Sequence, residues 1–237
     1  MTTDTLLIVG PGGVGKSSLD KILRTDVVRI DPYRLRSAGP RNPNDVLYAH
    51  PKLRDELYLT YQQLGVEVTC LSNDVHWFPK TRTLFLKVRN DWQLLMLGAL
   101  PPGVAKAEIF APAVPVMMEN SHIRRLFGHV AILVLNPATS LTDIAGLKEK
   151  TRYNCERRGD KPDSVEERVA SIDEEAAAWQ RMVSLGAKEY PNWAFPAFIY
   201  GERGEKEILI AVRSALLQDS PQLDIFFRTE GDLLSEP

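Results

Sequence analysis

The stretch GPGGVGKSS at residues 10–18 directly follows the apolar run TLLIVG and constrains this chain more than any other feature. The run predicts a short buried strand at Leu6–Val9, and the apolar spacing from Lys16 to Arg24 predicts a helix. Strand, glycine loop and helix therefore come in the order that a phosphate-binding loop requires, which makes an ordinary glycine-rich turn a poor explanation. Four residues match the G-x-x-x-x-G-K-[ST] spacing of that loop: Gly10, Gly15, Lys16 and Ser17.

Such a loop binds phosphate because glycines let backbone N–H groups curl around phosphate oxygens, and the following helix N-terminus adds partial positive charge. Lys16 is predicted to reach the β and γ phosphates, and the Ser17 hydroxyl to ligate Mg²⁺. ATP and Mg²⁺ are the cofactors expected. The predicted nucleotide-binding residues are Gly10, Gly12, Gly13, Val14, Gly15, Lys16, Ser17 and Ser18.

Composition narrows the class of protein. The chain has 237 residues, 44% hydrophobic and 25% charged, enough for one large domain or two small ones. A net charge of -2 gives no overall basic field, so no nucleic-acid partner is expected. No apolar run approaches a membrane span and no leader pattern opens the chain, which predicts a soluble cytoplasmic protein. Cys70 and Cys155 lack partners at metal-ligand spacing and are predicted to be reduced, buried thiols.

The apolar pattern predicts a parallel α/β sheet interrupted by an insertion. VVRID, Val27–Asp31, follows the first helix closely enough to form a βαβ unit. Residues 33–100 are predicted to form an inserted, partly antiparallel subdomain, in which VEVTCL and TRTLFLKV are strands and SNDVHWFPK is a turn or bent segment. Helices are expected over HPKLRDELYLTYQQL and, near the end, over KEILIAVRSALLQ.

The sheet is predicted to be completed in the second half, giving a single domain over residues 1–237. The expected elements are a strand at Val114–Met118, a helix around His122–Phe127, a buried strand at His129–Asn136 and a last strand in FPAFIYG.

Residues 140–180 are predicted to form a helical lid. Two charged helical stretches flank RRGDKPD, where Gly159 and Pro162 break the helix. Planar guanidinium groups suit the charge on a phosphoryl group in transfer, so Arg158 and Arg168 are predicted to be catalytic. The alternative is a solvated charged helix with Glu–Arg pairs at helical spacing. Arg152 and Arg157 are further candidates for phosphate binding.

These segments resemble the guanylate kinase family, within the nucleoside monophosphate kinase fold. LLIVGPGGVGKSSL carries the resemblance at the start; HVAILVLNPATSLTDIAGLKEKTR, RRGDKPDSVEERV and FIYGE carry it later, and together they cover about half of the chain. The resemblance implies a P-loop kinase fold with an inserted substrate-binding subdomain, a lid and transfer of phosphate from ATP. Glu119 falls where the family has an acidic residue on its central strand, which implies a role at Mg²⁺ or substrate.

The phosphate acceptor is open. The family has two arginines three apart and a downstream tyrosine at its acceptor phosphate; RLRSAGPRNPNDVLY supplies Arg34, Arg36, Arg41 and Tyr48 at altered spacing. The lid and the last strand, which resemble those of guanylate kinases, favour a phosphate-bearing acceptor such as a nucleoside monophosphate. VVRIDPYRLR also resembles zeta-toxin-like and other small-molecule P-loop kinases, in which Asp31 would be the base for a hydroxyl acceptor. A turn role for Asp31 before Pro32 is equally compatible with the sequence.

Two non-kinase classes are also considered. A regulatory GTPase needs an N-K-x-D motif, which the sequence lacks. A guanylate-kinase-like interaction module without activity is the remaining alternative, but such a module has no need of Lys16 and Ser17.

Overall fold

A computed structural model describes residues 3–16, 19, 23–24, 26–30, 33–36, 45–47, 65, 67–88, 91–97, 103–186, 190, 192–194, 196–201 and 210. These residues divide into two compact units, Met1–Arg29 with Pro102–Pro237, and Ile30–Pro101. The strands are β1 (Thr3–Val9), β2 (Val28–Ile30), β3 (Tyr33–Arg36), β4 (Asp45–Leu47), β5 (Thr69–Ser72), β6 (Val75–Phe78), β7 (Thr83–Val88), β8 (Asp91–Met96), β9 (Gly103–Glu108), β10 (Phe127–Asn136) and β11 (Ala197–Tyr200).

The first unit is built on a five-stranded sheet in the order β11-β10-β1-β9-β2. β1 pairs in parallel with both β9 and β10, and β10 pairs in parallel with β11. The apolar runs of β1 and β10 are buried almost throughout, as expected of strands covered on both faces. The predicted strands at the start of the chain, at residues 129–136 and in FPAFIYG are confirmed.

Five helices of the described chain accompany this sheet: α1 (Ala113–Glu119), α2 (Ser121–Arg124), α3 (Ile144–Arg157), α4 (Pro162–Ala170) and α5 (Ile172–Gly186). The predicted break between two helical stretches is confirmed, because α3 ends before Gly159, whose φ of 80° is left-handed, and α4 begins at Pro162. The α/β class with a parallel sheet and flanking helices is therefore as predicted.

The strand predicted at Val114–Met118 is wrong, because this segment is α1. An uninterrupted apolar run has no period that separates a buried strand from a buried helix. Pro115 lies in the first turn, where its missing N–H has no intrahelical acceptor to lose. The helix predicted to reach Phe127 is also too long, since α2 ends at Arg124 and Phe127 already begins β10.

A strand that the sequence pattern did not predict, β9, fills the place between β1 and β2. Its residues GVAKAE lack the β-branched and aromatic side chains that favour strands. Ala105 and Ala107 are buried there, and pairing with β1 supplies the backbone hydrogen bonds. The strand thus forms because of its neighbours and not because of its own propensity.

The second unit contains a six-stranded sheet in the order β4-β3-β8-β7-β6-β5. Every neighbouring pair is antiparallel except β3 with β4. SNDVHWFPK, predicted to be a turn or bent segment, contains the buried strand β6 between two hairpin turns, so that prediction is wrong. Leu84 and Trp77 form part of this unit's core.

The remaining predictions concern the two cysteines, membrane-spanning helices and three helices that lie largely outside the described residues. Cys155 is buried as predicted, but Cys70 is exposed. No helix of the described residues is long and apolar enough to cross a membrane. The helix after the glycine loop lies largely outside the described residues, as do the helices predicted over residues 50–64 and 206–218.

Candidate functional site

The glycine-rich loop begins where β1 ends, at the carboxyl edge of the five-stranded sheet. β1 lies between β9 and β10, so the chain crosses from one side of β1 to the other as it passes from β9 to β10. In open parallel sheets, ligands bind at the carboxyl ends of the strands at such a reversal of strand order. Residues 10–16 therefore occupy the position where this sheet is expected to bind a ligand.

Two glycines of the loop are in close contact with the helices that follow β10. Gly13 has a φ of 82°, and a Cβ there would come 3.0 Å from the Cβ of Asn154 on α3. A Cβ on Gly12 would overlap the guanidinium group of Arg168 on α4. The tertiary structure thus brings α3 and α4 against the loop, with only backbone between them at these two positions.

The ammonium group of Lys16 folds back onto the loop. Its Nζ donates hydrogen bonds to the carbonyl oxygens of Gly10, at 2.8 Å, and Pro11, at 2.9 Å. The side chain is half-buried. Because hydrogen bonds from an ammonium group to phosphate oxygens are stronger than those to neutral carbonyls, a polyphosphate in the loop could replace these contacts favourably.

Cys155, in the last turn of α3, packs beneath the loop. Its side chain is fully buried, and its Sγ lies 4.0 Å from the carbonyl oxygen of Gly12. Burial raises the pKa of the thiol, against the opposing effect of Arg168 and Arg158. A neutral thiol is a weak nucleophile, so Cys155 supports the loop by packing.

Arg158 and Arg168, the predicted catalytic arginines, are brought together by one carboxylate, that of Asp160. Arg158 donates from Nε to Oδ1 at 3.0 Å and from Nη2 to Oδ2, and the Nε of Arg168 lies 3.4 Å from Oδ2. The hydrogen bond from Arg158 is the main cause that lowers the pKa of Asp160 below its usual range, while burial opposes it. Asp160 is therefore ionised at neutral pH.

The other two lid arginines make different contacts. Arg152 on α3 forms a fork with the carboxylate of Glu166 on α4, in which Nη1 meets Oε1 and Nη2 meets Oε2. The guanidinium of Arg157 lies 5.8 Å from the ring centre of the exposed Tyr153. Neither contact is a Glu–Arg pair at helical spacing, because the first joins two helices and the second involves an aromatic ring.

Glu119 is not on a strand, which corrects the premise of its predicted role. It is the last residue of α1, and its carboxylate pairs with Arg181 on α5. The strand of the family pattern is absent here because the apolar run before Glu119 is helical.

Glu108, which the sequence analysis missed, lies at the sheet edge where an acidic group was sought. It ends β9 and pairs with Ile8, two residues before the glycine loop. Lys106 lies two residues earlier on the same face of the strand and is buried; burial lowers the pKa of its ammonium group, and the charge of Glu108 opposes that shift. In P-loop proteins, an acidic residue of this kind helps to hold Mg²⁺.

The arginines and the tyrosine predicted to bind the acceptor phosphate belong to β3 or lie outside the described residues. Arg34 and Arg36 belong to β3, of which the backbone alone is described. The remaining predicted site residues lie outside the described residues: Ser17, Ser18, Asp31, Arg41 and Tyr48.

Asp160, Asn154 and Glu108 are the site residues that sequence reasoning missed. Asp160 could have been found, because it follows Arg158 by two residues in the predicted helix break. Glu108 ends a segment with no strand signal, and Asn154 reaches the loop only through the packing of α3. No local sequence pattern predicts that Glu108 or Asn154 is a site residue.

A scan against protein-family models and a search of curated proteins found no match to this chain.

Proposed function

We propose that this chain is an ATP- and Mg²⁺-dependent phosphotransferase with a P-loop kinase fold similar to that of guanylate kinases. The observation that carries the proposal is the contact between Arg168 and Gly12. It brings together a glycine loop of phosphate-binding spacing and an arginine of the predicted lid. A solvated helix surface would not explain an arginine whose side chain is only 18% exposed beside such a loop.

The glycine loop and the residues around it fit a nucleoside triphosphate with Mg²⁺. Bound ATP would supply the γ-phosphoryl group, and Mg²⁺ would neutralise charge on the β and γ phosphates. Lys16 would bind those phosphates, and Glu108 with Ser17 would hold the cation. Within the described part of the chain, no group of three or more His, Cys, Asp or Glu side chains could hold a metal alone. A cation site here would rely on phosphate oxygens and water, as Mg²⁺ sites in such enzymes do.

Arg158 and Arg168 would stabilise the transition state. The charge of the phosphoryl group in transfer is spread over its equatorial oxygens, and guanidinium groups meet that charge with paired N–H donors. Their contacts would be strongest in the transition state, so their loss should lower kcat more than it raises KM.

The acceptor in this proposal is a phosphate-bearing small molecule such as a nucleoside monophosphate. Its attacking oxygen is already anionic, so the site needs positive charge and no general base. Arg34, Arg36, Arg41 and Tyr48 are the candidates for that charge and for its hydrogen bonds.

The first test is Lys16→Ala, with Lys80→Ala as the control. Lys80 is an exposed lysine of a hairpin turn, so its loss removes the same charge elsewhere. Lys16→Ala is expected to abolish phosphoryl transfer and to weaken MgATP binding roughly tenfold or more, because it removes charge-assisted hydrogen bonds worth about 1.5–3 kcal/mol. Calorimetry gives the affinity, and labelled ATP gives the transfer rate. Equal turnover in the two variants would refute the nucleotide site.

The second test separates the acceptor classes by assaying GMP, AMP and ribose phosphates beside hydroxyl acceptors. Arg41→Ala is expected to raise the acceptor KM roughly ten- to a hundredfold, and Asp31→Asn to change little. The reverse result would identify a hydroxyl acceptor with Asp31 as its base. If the wild-type chain binds MgATP and transfers phosphate to no acceptor, the proposal of an enzyme fails in favour of an interaction module.

A further inference from the structure

The carboxylate of Asp160 lies between the two arginines of the proposed transition-state site. Its side chain is 17% exposed, close to the 18% of Arg168, whereas Arg158 is 44% exposed. Asp160 contacts Arg158 through both carboxylate oxygens and Arg168 through one. A single residue in the helix break therefore sets the geometry of two side chains that arise from different helix ends.

The guanidinium group of Arg168 has a defined orientation between Asp160 and the glycine loop. Arg168 meets Asp160 through Nε, which also lies 3.4 Å from the hydroxyl oxygen of Ser164 on α4. The atom of Arg168 nearest to the side-chain position of Gly12 is Nη1, at the other end of the guanidinium. Asp160 thus holds the inner nitrogen of Arg168 while the outer end lies against the glycine loop.

Charge makes the same residue necessary. Two guanidinium groups beside each other repel, and an ionised carboxylate between them reduces that repulsion. Asp160 still leaves one net positive charge on the trio, which an incoming phosphoryl group can meet. The carboxylate need not touch substrate to have these effects.

We propose that Asp160 is a positioning residue that directs Arg158 and Arg168 towards the transferred phosphoryl group; this inference rests on the proposed function. The opposite role for the same contacts is an internal anion that occupies the arginines until phosphate displaces it. The geometry favours positioning at Arg168, where the inner nitrogen is the one that is held, whereas Arg158 is held through both Nε and Nη2. The two roles predict opposite effects of removing the charge.

The test is Asp160→Asn, with Asp163→Asn as a matched control. Asp163 is an exposed carboxylate of the same lid segment, in the first turn of α4. Asp160→Asn is expected to lower kcat roughly 10- to 100-fold, the cost of a small misplacement of catalytic groups, and to leave the KM for ATP within about threefold. Asp163→Asn should match wild type in both.

A second readout needs no turnover. The affinity for ADP with Mg²⁺ and fluoroaluminate, which resembles a phosphoryl group in transfer, should fall in Asp160→Asn by a factor similar to that in kcat. The affinity for ADP alone should stay unchanged. A merely structural role would instead lower the melting temperature and weaken both ligands together. If Asp160→Asn does not fold, Asp160→Ser is measured with the same expectations.

The outcomes distinguish this inference from the function on which it rests. Wild-type chain that neither binds MgATP nor transfers phosphate overturns both. Active wild type with unchanged kcat in Asp160→Asn, or with higher kcat and tighter ATP binding, overturns the positioning role alone. A loss of kcat shared equally by Asp163→Asn also overturns it, because the effect would then be one of lid charge.

Discussion

Two glutamates illustrate how far the role of a residue depends on its position in the sheet. Glu119 ends a helix and pairs with Arg181 across an exposed contact, with the two side chains 41% and 53% exposed. Glu108 ends the strand beside β1, at the level of Ile8. Both are glutamates after apolar segments, so residue type alone does not separate them. We expect Glu108 and not Glu119 to serve the cation.

The prediction at this scale compares Glu108→Gln with Glu119→Gln. Glu108→Gln removes a negative oxygen ligand and is expected to raise the Mg²⁺ concentration for half-maximal transfer roughly 10- to 100-fold. Glu119→Gln should leave that concentration unchanged and alter stability by no more than about 1 kcal/mol, as exposed ion pairs do. Titration of activity with Mg²⁺ decides between them. A larger effect in Glu119→Gln would restore the sequence-based assignment.

Helix α5 packs through the large side chain of Trp179, which has a buried polar atom without a hydrogen-bond partner among the described residues. Trp179 is fully buried, and its Nε1 has no hydrogen-bond partner among the described residues. A buried N–H without an acceptor costs free energy, about 1–3 kcal/mol in typical cases. The large indole therefore stabilises α5 by packing despite this cost.

Substitutions of Trp179 should separate these two contributions. Trp179→Ala is expected to lower the free energy of unfolding by about 3–5 kcal/mol, because it leaves a large cavity. Trp179→Phe should lower it by less than about 2 kcal/mol, since it loses some volume but also removes the unmatched N–H. Urea unfolding followed by circular dichroism measures both. Equal losses in the two variants would indicate that Nε1 has a partner after all.

The two units have separate β-sheets, and the second unit contains a buried histidine. His76 is a buried residue of β6 in the second unit, paired across the sheet with Phe85 and Cys70. Burial lowers the pKa of His76, and the charge of Asp74 opposes that shift only in part. The second unit should therefore respond to acid through this imidazole.

The pH prediction follows from the direction of that shift. Between the ordinary histidine pKa of about 6.5 and the lower pKa of the folded state, the unfolded chain binds a proton that the folded chain does not. The free energy of unfolding should therefore fall as pH decreases through this window. His76→Gln is expected to flatten this part of the profile, and the exposed His129→Gln to retain it. Urea unfolding at several pH values measures the slope; a profile unchanged by His76→Gln would contradict the assignment.

Elements whose signals are local can be predicted from the amino-acid sequence alone. Leu6–Val9 and Val130–Leu135 are uninterrupted apolar runs that must be buried, and strand, glycine loop and Lys16 follow one another within a few residues. The helix break before α4 was also predictable, since Gly159 and Pro162 act through their own backbone geometry. Backbone conformations of this kind depend on residues that are adjacent in the chain, so they can be predicted from the sequence.

Packing between distant segments of the chain determines which of these elements are in contact. β9 forms a strand because its backbone pairs with that of β1. Its alanines, Ala105 and Ala107, are small enough to be buried there. That choice put Glu108 at the sheet edge, while the apolar run before Glu119 became a helix. Asn154 and Arg168 reach the loop through helix packing across a large sequence separation, and Asp160 contacts Arg168. Contacts between distant segments depend on the energy of the whole packed core, so no short pattern along the chain contains them.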